Sequence, residues 1–214
     1  MGALDPRAPE AGTPGWFVRE RRLPEHRWAV RGVLDDAHPD GAVLDDPIDT
    51  EGMYVMWRTF SDEAGRLVVF PSAMELDGTP KLWFVDTSNE VTTPGLVTLV
   101  AFGSDHLPAG TVVANSTFTT MPVASKEQAG AIRWSRSDGA VDQLFVQESW
   151  RRKGIGTLLL FAAGAFHQAH GWAGSIHSDG RHTQMGDAFA MAQDFPHRIP
   201  EDVKIVVPMD RPEG

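Results

Sequence analysis

Residues 141–160 read VDQLFVQESWRRKGIGTLLL, and this stretch decides the fold of the C-terminal half of the chain. An apolar run ends at about Val146, a short polar turn follows, and apolar residues then recur at helical spacing. The pattern predicts a strand, a loop and a helix that runs from about Gly154 to Ala169.

The loop between this strand and this helix has the composition of a phosphate site. Arg151, Arg152 and Lys153 place three positive charges inside an otherwise acidic chain. Gly154 and Gly156 remove side chains where backbone amides would approach a ligand. Those amides lie at the positive end of the helix dipole. The segment therefore predicts a site for a diphosphate or a similar polyanion.

Two common phosphate-binding motifs do not fit the loop. A P-loop requires Gly-x-x-x-x-Gly-Lys-Ser/Thr, which the sequence lacks. A dinucleotide fingerprint requires a third glycine where Leu159 stands. A basic helix N-terminus whose glycines serve only packing is the remaining alternative.

Short apolar runs separated by turn-forming residues make the region upstream β-rich. The predicted strands are 53–60, 66–73, 81–86, 96–102, 112–119, 131–135 and 141–146. Before them, residues 16–33 are amphipathic but interrupted by Pro24, which fits extended chain or a short helix. Downstream, the pattern predicts a strand at 172–177, a helix at 183–194 and a closing strand at 203–207. The predicted fold class is therefore α+β.

Bulk composition limits the class of protein. The chain has 214 residues, of which 42% are hydrophobic and 22% charged, as in ordinary soluble domains. No stretch approaches the roughly 20 apolar residues that cross a bilayer, and no secretory signal pattern is visible. Because there is no cysteine, disulfides, thiolate metal sites and a cysteine nucleophile are excluded. We expect a cytoplasmic protein without a membrane partner.

Charge is negative overall and unevenly spread. A net charge of −10 disfavours a nucleic-acid binder held mainly by phosphate contacts. Five arginines nevertheless fall within residues 19–31, and seven acidic residues fall within residues 35–51. Two solvated segments of opposite sign, or an arm that binds a partner, would both explain this pattern. A nucleic-acid modifier would need a basic groove near residues 19–31.

The strand, loop and helix together resemble the GNAT N-acetyltransferases, whose pyrophosphate signature is Arg-x-x-Gly-x-Gly. Residues 151–156 carry it, an apolar strand precedes it and an amphipathic helix follows it. The resemblance covers Lys126 to Pro196 and is poor upstream, where the family usually has a strand and two helices. It implies a GNAT-like mixed sheet with flanking helices and three regions. These are a flexible segment 1–15, a β-rich half 16–125 that forms a divergent acceptor platform or a separate module, and an acyl-CoA-binding core 126–214.

The resemblance also implies a reaction, the transfer of acetyl from acetyl-CoA to a primary amine by direct attack on the thioester. The amine acceptor would belong to a small molecule, a protein or a modified base, and a homodimer is compatible with this reading. Leu144, Phe145 and Val146 would offer backbone groups to the pantetheine arm, and an amide near Val146 would stabilise the oxyanion. The residues implied for the pyrophosphate are Arg151, Arg152, Lys153, Gly154, Ile155 and Gly156, with a hydroxyl from Thr157.

The implied mechanism also requires two proton transfers, since an amine must lose a proton and a thiolate must gain one. The candidates for the base are Asp142, Glu148, His177 and Asp179, each of which also fits an ordinary strand or loop position. Many family members use a tyrosine on the last helix as the acid, but the only tyrosine here is Tyr54. Ser178, His182, Thr183 or water would then substitute, unless Tyr54 folds over from the N-terminal half.

Two further expectations follow from the polar run 177–187. His177, His182 and Asp187 lack a recognised ligand spacing, so we predict no metal. The missing C-terminal tyrosine also favours an alternative function. In that alternative the chain is a catalytically inactive GNAT-fold protein with a binding or structural role, for instance in a phage or another assembly.

Overall fold

The structure is a computed structural model that describes residues 15–22, 28–35, 43–45, 54–75, 77–88, 94–193 and 202–206. Most of the predicted flexible segment 1–15 and most of the acidic stretch 35–51 lie outside the described residues.

The N-terminal half forms a five-stranded sheet in the order β3-β1-β2-β4-β5. Its strands are β1 (Gly15–Arg22), β2 (Trp28–Asp35), β3 (Val43–Asp45), β4 (Tyr54–Ser61) and β5 (Leu67–Pro71). Strands β1, β2, β4 and β5 pair antiparallel in sequence order, whereas β3 pairs parallel to β1. The two segments on either side of Pro24 are therefore strands, which decides between the extended and helical alternatives for residues 16–33.

Six strands between residues 83 and 178 form a second, mixed sheet in the order β11-β10-β9-β7-β6-β8. Its strands are β6 (Trp83–Asp86), β7 (Leu96–Phe102), β8 (Val112–Ala114), β9 (Gln128–Ser135), β10 (Ala140–Val146) and β11 (His177–Ser178). The described helices are α1 (Asn115–Phe118), α2 (Ile155–Ala169) and α3 (Gln184–Met191). A parallel pair, β12 (Arg181–His182) and β13 (Lys204–Ile205), lies beyond β11. A mixed sheet with flanking helices confirms the predicted fold class.

Helix α2 lies between the two large sheets and contacts strands of both. Leu158 and Leu159 are buried in one hydrophobic cluster that also holds residues of β4, β5, β7 and β9. Full burial of a leucine stabilises a fold by about 1.5–3 kcal/mol. On another face of the helix, the Trp57 ring of β4 packs against Gly164. The helix is therefore covered from two directions.

Two predicted strands are wrong in part. The run 112–119 is a strand only to Ala114, after which the chain turns into α1. The run 172–177 contributes to a strand only at His177, because Gly171 and Gly174 have φ values of +62° and +79°, outside the extended region. The last predicted helix and strand, 183–194 and 203–207, are present but shorter, as α3 and β13.

No helix in the described part of the chain is long and apolar enough to cross a membrane.

Candidate functional site

Strands β10 and β11 pair in parallel over only two positions and then diverge. Ala140 is opposite His177, and Val141 is opposite Ser178. The N–H of Asp179 still donates to the carbonyl of Val141 at 3.2 Å. Beyond that bond the chain leaves the sheet at Gly180, whose φ is +81°. No described strand pairs with this edge of β10 from there to its end, so the two strands form an open cleft.

Because of a bulge in β10, the backbone groups of Leu144 and Val146 point into that cleft. The register with β9 shifts between Val141 and Gln143, and an extra residue in one strand reverses the side to which later groups point. The N–H of Gln147 donates to the Ala129 carbonyl of β9 at 3.0 Å. By the alternation of a ladder, the backbone groups of Leu144 and Val146 then face the open edge.

Phe145, the third residue expected to contact pantetheine, points its backbone the other way. Its carbonyl oxygen lies so close to β9 that a Cβ on Gly130 would come within 2.4 Å of it. At the open edge, the Val146 carbonyl accepts a hydrogen bond from Nε of Arg151 at 3.3 Å. The predicted pantetheine segment therefore has two residues whose backbone faces the cleft and one whose backbone faces the sheet.

The basic loop after β10 is anchored by Trp150. The indole packs on Gly103, where a Cβ would lie 2.2 Å from Cη2. The Lys153 ammonium lies 5.0 Å from the centroid of the same ring, within cation–π range. Arg152 has a φ of +59°, a strained conformation for a residue other than glycine. The loop is thus held in one shape while its charged side chains remain exposed.

The N-terminus of α2 has donors available for a ligand. Gly154 is the N-cap residue with a φ of +73°, and no side chain caps this end in the part of the chain that the structure describes. The first helical bond runs from the N–H of Leu158 to the carbonyl of Gly154 at 3.0 Å. A Cβ on Gly154 would meet nothing within 4 Å. The approach to these N–H groups over Gly154 is therefore open.

Gly156 and Thr157 are engaged by α3 and the residues after it. A Cβ on Gly156 would lie 2.8 Å from Cε2 of Phe189, so the missing side chain makes room for a phenyl ring. The Thr157 hydroxyl lies 3.5 Å from Oε1 of Gln193. The two glycines of the signature thus differ, since Gly154 leaves space open and Gly156 is covered by packing.

Two of the four predicted base candidates are held by arginines. Asp142 accepts bonds from Arg133 at 2.9 Å (Nε to Oδ1) and 2.7 Å (Nη2 to Oδ2). Asp179 accepts bonds from Arg181 at 2.9 and 2.7 Å. The hydrogen bond with Asp142 raises the pKa of Arg133, and that with Asp179 raises the pKa of Arg181. Arg133 thus binds both oxygens of the Asp142 carboxylate, whereas Arg181 donates both of its bonds to Oδ2 of Asp179.

The other two candidates lie apart from each other. His177 is buried, and its Nδ1 lies 2.8 Å from the carbonyl of Ser175. Glu148 is exposed in the single 3₁₀ turn that follows β10. Asp142, His177 and Asp179 thus lie in or next to the paired segment of β10 and β11, each with a different hydrogen-bond partner, and Glu148 lies at the far end of β10 beside the basic loop.

One group of polar residues was not recognised from the sequence as a unit. The Ser178 hydroxyl contacts Nε2 of His182, whose Nδ1 lies 3.2 Å from Oδ1 of Asp187. The sequence predicts Ser178 and His182 as substitutes for a missing acid and Ser178 as a candidate cap of the last helix, but it predicts no contact of either with Asp187. Their spacing matches no common motif, so only the folded turn reveals the contact. Within the described residues, no group of three or more His, Asp or Glu side chains could hold a metal ion.

A cavity of about 430 Å³ opens beside the loop that follows β7. Beside it, Nε2 of His106 lies 3.2 Å from Oε2 of Glu127, and the N–H of Ala124 lowers the pKa of that carboxyl. None of residues 151–156 lines the cavity, so it is separate from the basic loop. Its lining residues are Lys81, Ser104, Asp105, His106, Leu107, Pro108 and Ala109.

Comparison with known proteins agrees with this geometry. Residues 95–180 match the family described as acetyltransferase (GNAT) domain. The matched segment, less than half of the chain, begins before β7, upstream of Lys126, and contains β9, β10, the basic loop, α2 and β11. The chain has no significant match among curated proteins or among solved structures.

The family match indicates an acyltransferase, since such domains generally use acetyl-CoA or another acyl-CoA and an acceptor. Residues 95–180 are therefore similar in sequence to a GNAT acetyltransferase domain, the family that the strand, loop and helix predicted.

Proposed function

We propose that the chain is an acyl-CoA-dependent N-acyltransferase that transfers an acetyl group from acetyl-CoA to a primary amine. The observation that carries the proposal is the cleft between β10 and β11, which leads to an uncapped helix N-terminus beside three cationic side chains. Both features lie inside the segment that matches the acetyltransferase domain.

The residues present fit a coenzyme A molecule. Arg151, Arg152 and Lys153 would neutralise the pyrophosphate, and the N–H groups at the start of α2 would bind its oxygens. From Val141 to Val146, β10 spans five residue steps of about 3.3 Å, or roughly 17 Å. An extended pantetheine arm has a comparable length. Backbone groups of Leu144 and Val146 at the open edge supply donors and acceptors along that path.

The bound thioester would supply an activated acyl carbon, and the residues of this chain would position the amine and move its proton. An N–H at the open edge of β10 is suited to stabilise the oxyanion that forms on amine attack. Asp142 and Asp179 would have to leave their arginines to take a proton directly. The net charge of −10 steers cationic amines toward the protein.

Calorimetry with acetyl-CoA tests the cofactor site, and Arg152→Glu tests the loop. Arg136→Glu is the matched control because Arg136 is also an exposed arginine but lies in the turn at the opposite end of β10. We expect Arg152→Glu to weaken acetyl-CoA binding by about tenfold or more, or about 1.4 kcal/mol, and Arg136→Glu to leave it unchanged. No heat from the wild type at acetyl-CoA concentrations of about 1 mM, or equal affinity of the two variants, would refute the site.

A thiol-release assay across a panel of primary amines then tests turnover. Amine-dependent release of free thiol is the result expected of an acyltransferase. Binding without release would instead support the second candidate, a GNAT-fold protein that binds coenzyme A without catalysis. The engagement of Asp142 by Arg133 and of Asp179 by Arg181 is the observation that favours this alternative.

A further inference from the structure

We propose that Ser178, His182 and Asp187 form a nucleophilic relay that gives the protein a hydrolytic activity toward acyl thioesters and activated esters. The Ser178 hydroxyl is the nucleophile, His182 is the general base, and Asp187 orients the imidazole. Where the ester is an acyl-CoA, the activity rests on the proposed function; toward small activated esters it does not.

Ser178, His182 and Asp187 contact one another in the order that a nucleophile, a general base and an orienting carboxylate require. The Asp187 carboxylate lies 3.2 Å from Nδ1 of His182 and, being an acceptor only, it selects the tautomer with the proton on Nδ1. Nε2 then has a free lone pair, toward which the Ser178 hydroxyl donates. A hydroxyl, an imidazole and a carboxylate in this order are the arrangement that activates a serine by an adjacent base.

The local backbone fixes these three side chains. Gly180, with a φ of +81°, reverses the chain between Ser178 and His182, and its N–H donates to the Ser178 hydroxyl oxygen at 3.0 Å. Thr183 caps α3 by accepting from the N–H of Gly186 at 3.0 Å, which places Asp187 in the first turn of the helix. His182 is also held in the β12–β13 pair and is 8% exposed. The imidazole is therefore shielded from water while its partners are set by the turn and the cap.

Ser178 lies where a substrate would have to arrive. It is the last paired residue of β11, opposite Val141, at the closed end of the cleft between β10 and β11. Its side chain is only partly buried, whereas His182 behind it is buried. An acyl group that enters the cleft from the basic loop would therefore reach this hydroxyl at the end of its path.

Water is the only reactant that the hydrolysis needs besides the ester or thioester. The Ser178 oxygen attacks the acyl carbon as its proton passes to Nε2 of His182. The carbon–sulfur bond breaks, and the departing thiolate takes that proton. In the second step, water attacks the ester and gives one proton to His182, which returns it to the Ser178 oxygen. The products are a carboxylic acid, a free thiol and the original enzyme.

A fluorophosphonate probe tests the nucleophile in the wild-type protein without any need for coenzyme A. Such probes phosphonylate activated serines, so peptide mapping of the folded protein is expected to place the label on Ser178. Absence of label from Ser178 would overturn the proposal, and this result does not depend on whether any variant folds.

Hydrolysis of p-nitrophenyl acetate supplies the kinetic test. We expect Ser178→Ala to abolish the enzyme-dependent rate, and His182→Gln to lower it about 100-fold or more, the usual contribution of a general base. Ser137→Ala is the matched control, because the exposed Ser137 hydroxyl contacts the Ser135 hydroxyl at 2.9 Å instead of an imidazole. Equal rates for Ser178→Ala and Ser137→Ala would overturn the relay.

The experiments distinguish a failure of this relay from a failure of the proposed acyltransferase function. Labelling of Ser178 in a protein that does not bind acetyl-CoA would support the relay while refuting the proposed function. Acetyl-CoA binding with amine-dependent thiol release, but without labelling or Ser178-dependent hydrolysis, would support the acyltransferase and refute the relay. If both hold, thiol is released from acetyl-CoA without an amine, and Ser178→Ala removes that release.

Discussion

Replacing His167 by glutamine is expected to remove part of the pH dependence of stability of this protein. His167 lies on α2 with no exposed surface. Its Nδ1 accepts a hydrogen bond from Nε1 of Trp134 at 3.1 Å, and its Nε2 lies 2.9 Å from the Ala173 carbonyl. An imidazole that accepts at one nitrogen and donates at the other is neutral. Burial lowers the pKa of His167 below its ordinary value.

The sign and size of the effect follow from linkage. An unfolded histidine has a pKa of about 6.5, so below that pH the unfolded chain binds a proton that the folded chain excludes. The stability that depends on neutral His167 is therefore complete above pH of about 6.5 and is lost as the pH falls, by up to about 1.4 kcal/mol per pH unit. Each kcal/mol corresponds to about 2–4 °C in Tm for a protein of this size.

Denaturant unfolding at neutral and mildly acidic pH measures the effect. Glutamine offers one acceptor and one donor but does not titrate, so the free-energy difference between wild type and His167→Gln is expected to shrink on acidification. His170→Gln is the control, because His170 is exposed although its ring stacks on Trp172 at 4.5 Å. A wild-type advantage over His167→Gln that stays constant between pH of about 7 and 5.5 would refute the assignment of a buried neutral imidazole.

Two glycine substitutions test the packing around the cleft. Gly130→Ala is expected to destabilise the protein by about 3 kcal/mol in equilibrium unfolding, because its Cβ would lie 2.4 Å from the backbone oxygen of Phe145, which cannot move without separating β9 from β10. A loss below about 1 kcal/mol would contradict that contact. Gly156→Ala is expected to cost about 1 kcal/mol by displacing the Phe189 ring, and a double-mutant cycle with Phe189→Ala should show coupling of similar size. Additive effects would show that the ring does not pack on Gly156.

The sequence predicts the elements whose pattern is local and strong. The helix predicted from 154 to 169 is observed as Ile155–Ala169, because its apolar residues repeat at helical spacing between an N-terminal glycine and a C-terminal glycine. Strand β7 is observed as predicted. By contrast, Trp172 is apolar and flanked by small residues, so the run 172–177 resembles a buried strand. Gly174 within the run and Gly171 just before it adopt positive φ values instead, and Trp172 stacks on His170.

The candidate site likewise has parts that could be predicted from the sequence and parts that could not. The basic loop could be located from the sequence because its charges and glycines are consecutive. The engagement of Asp142 by Arg133 could not, since it depends on the bulge that sets the register of β10 against β9. The contact between Ser178, His182 and Asp187 depends on a turn and a helix cap, and neither fixes a distance until the chain is folded. The base candidates from the sequence remain predictions.

The burial of α2 between two sheets has a thermodynamic consequence. One end of the helix carries the N–H groups that face the basic loop, and its sides are covered by β4 and β5 as well as by β9 and β10. A ligand that binds only the folded helix end stabilises everything that unfolds with the helix, by about 2.7 kcal/mol at a hundredfold excess over Kd. Amide hydrogens of β4 and β5, which no ligand at the loop touches, would therefore exchange more slowly when the loop is occupied. A fragment restricted to residues 95–180 would lack those strands and leave one side of α2 uncovered.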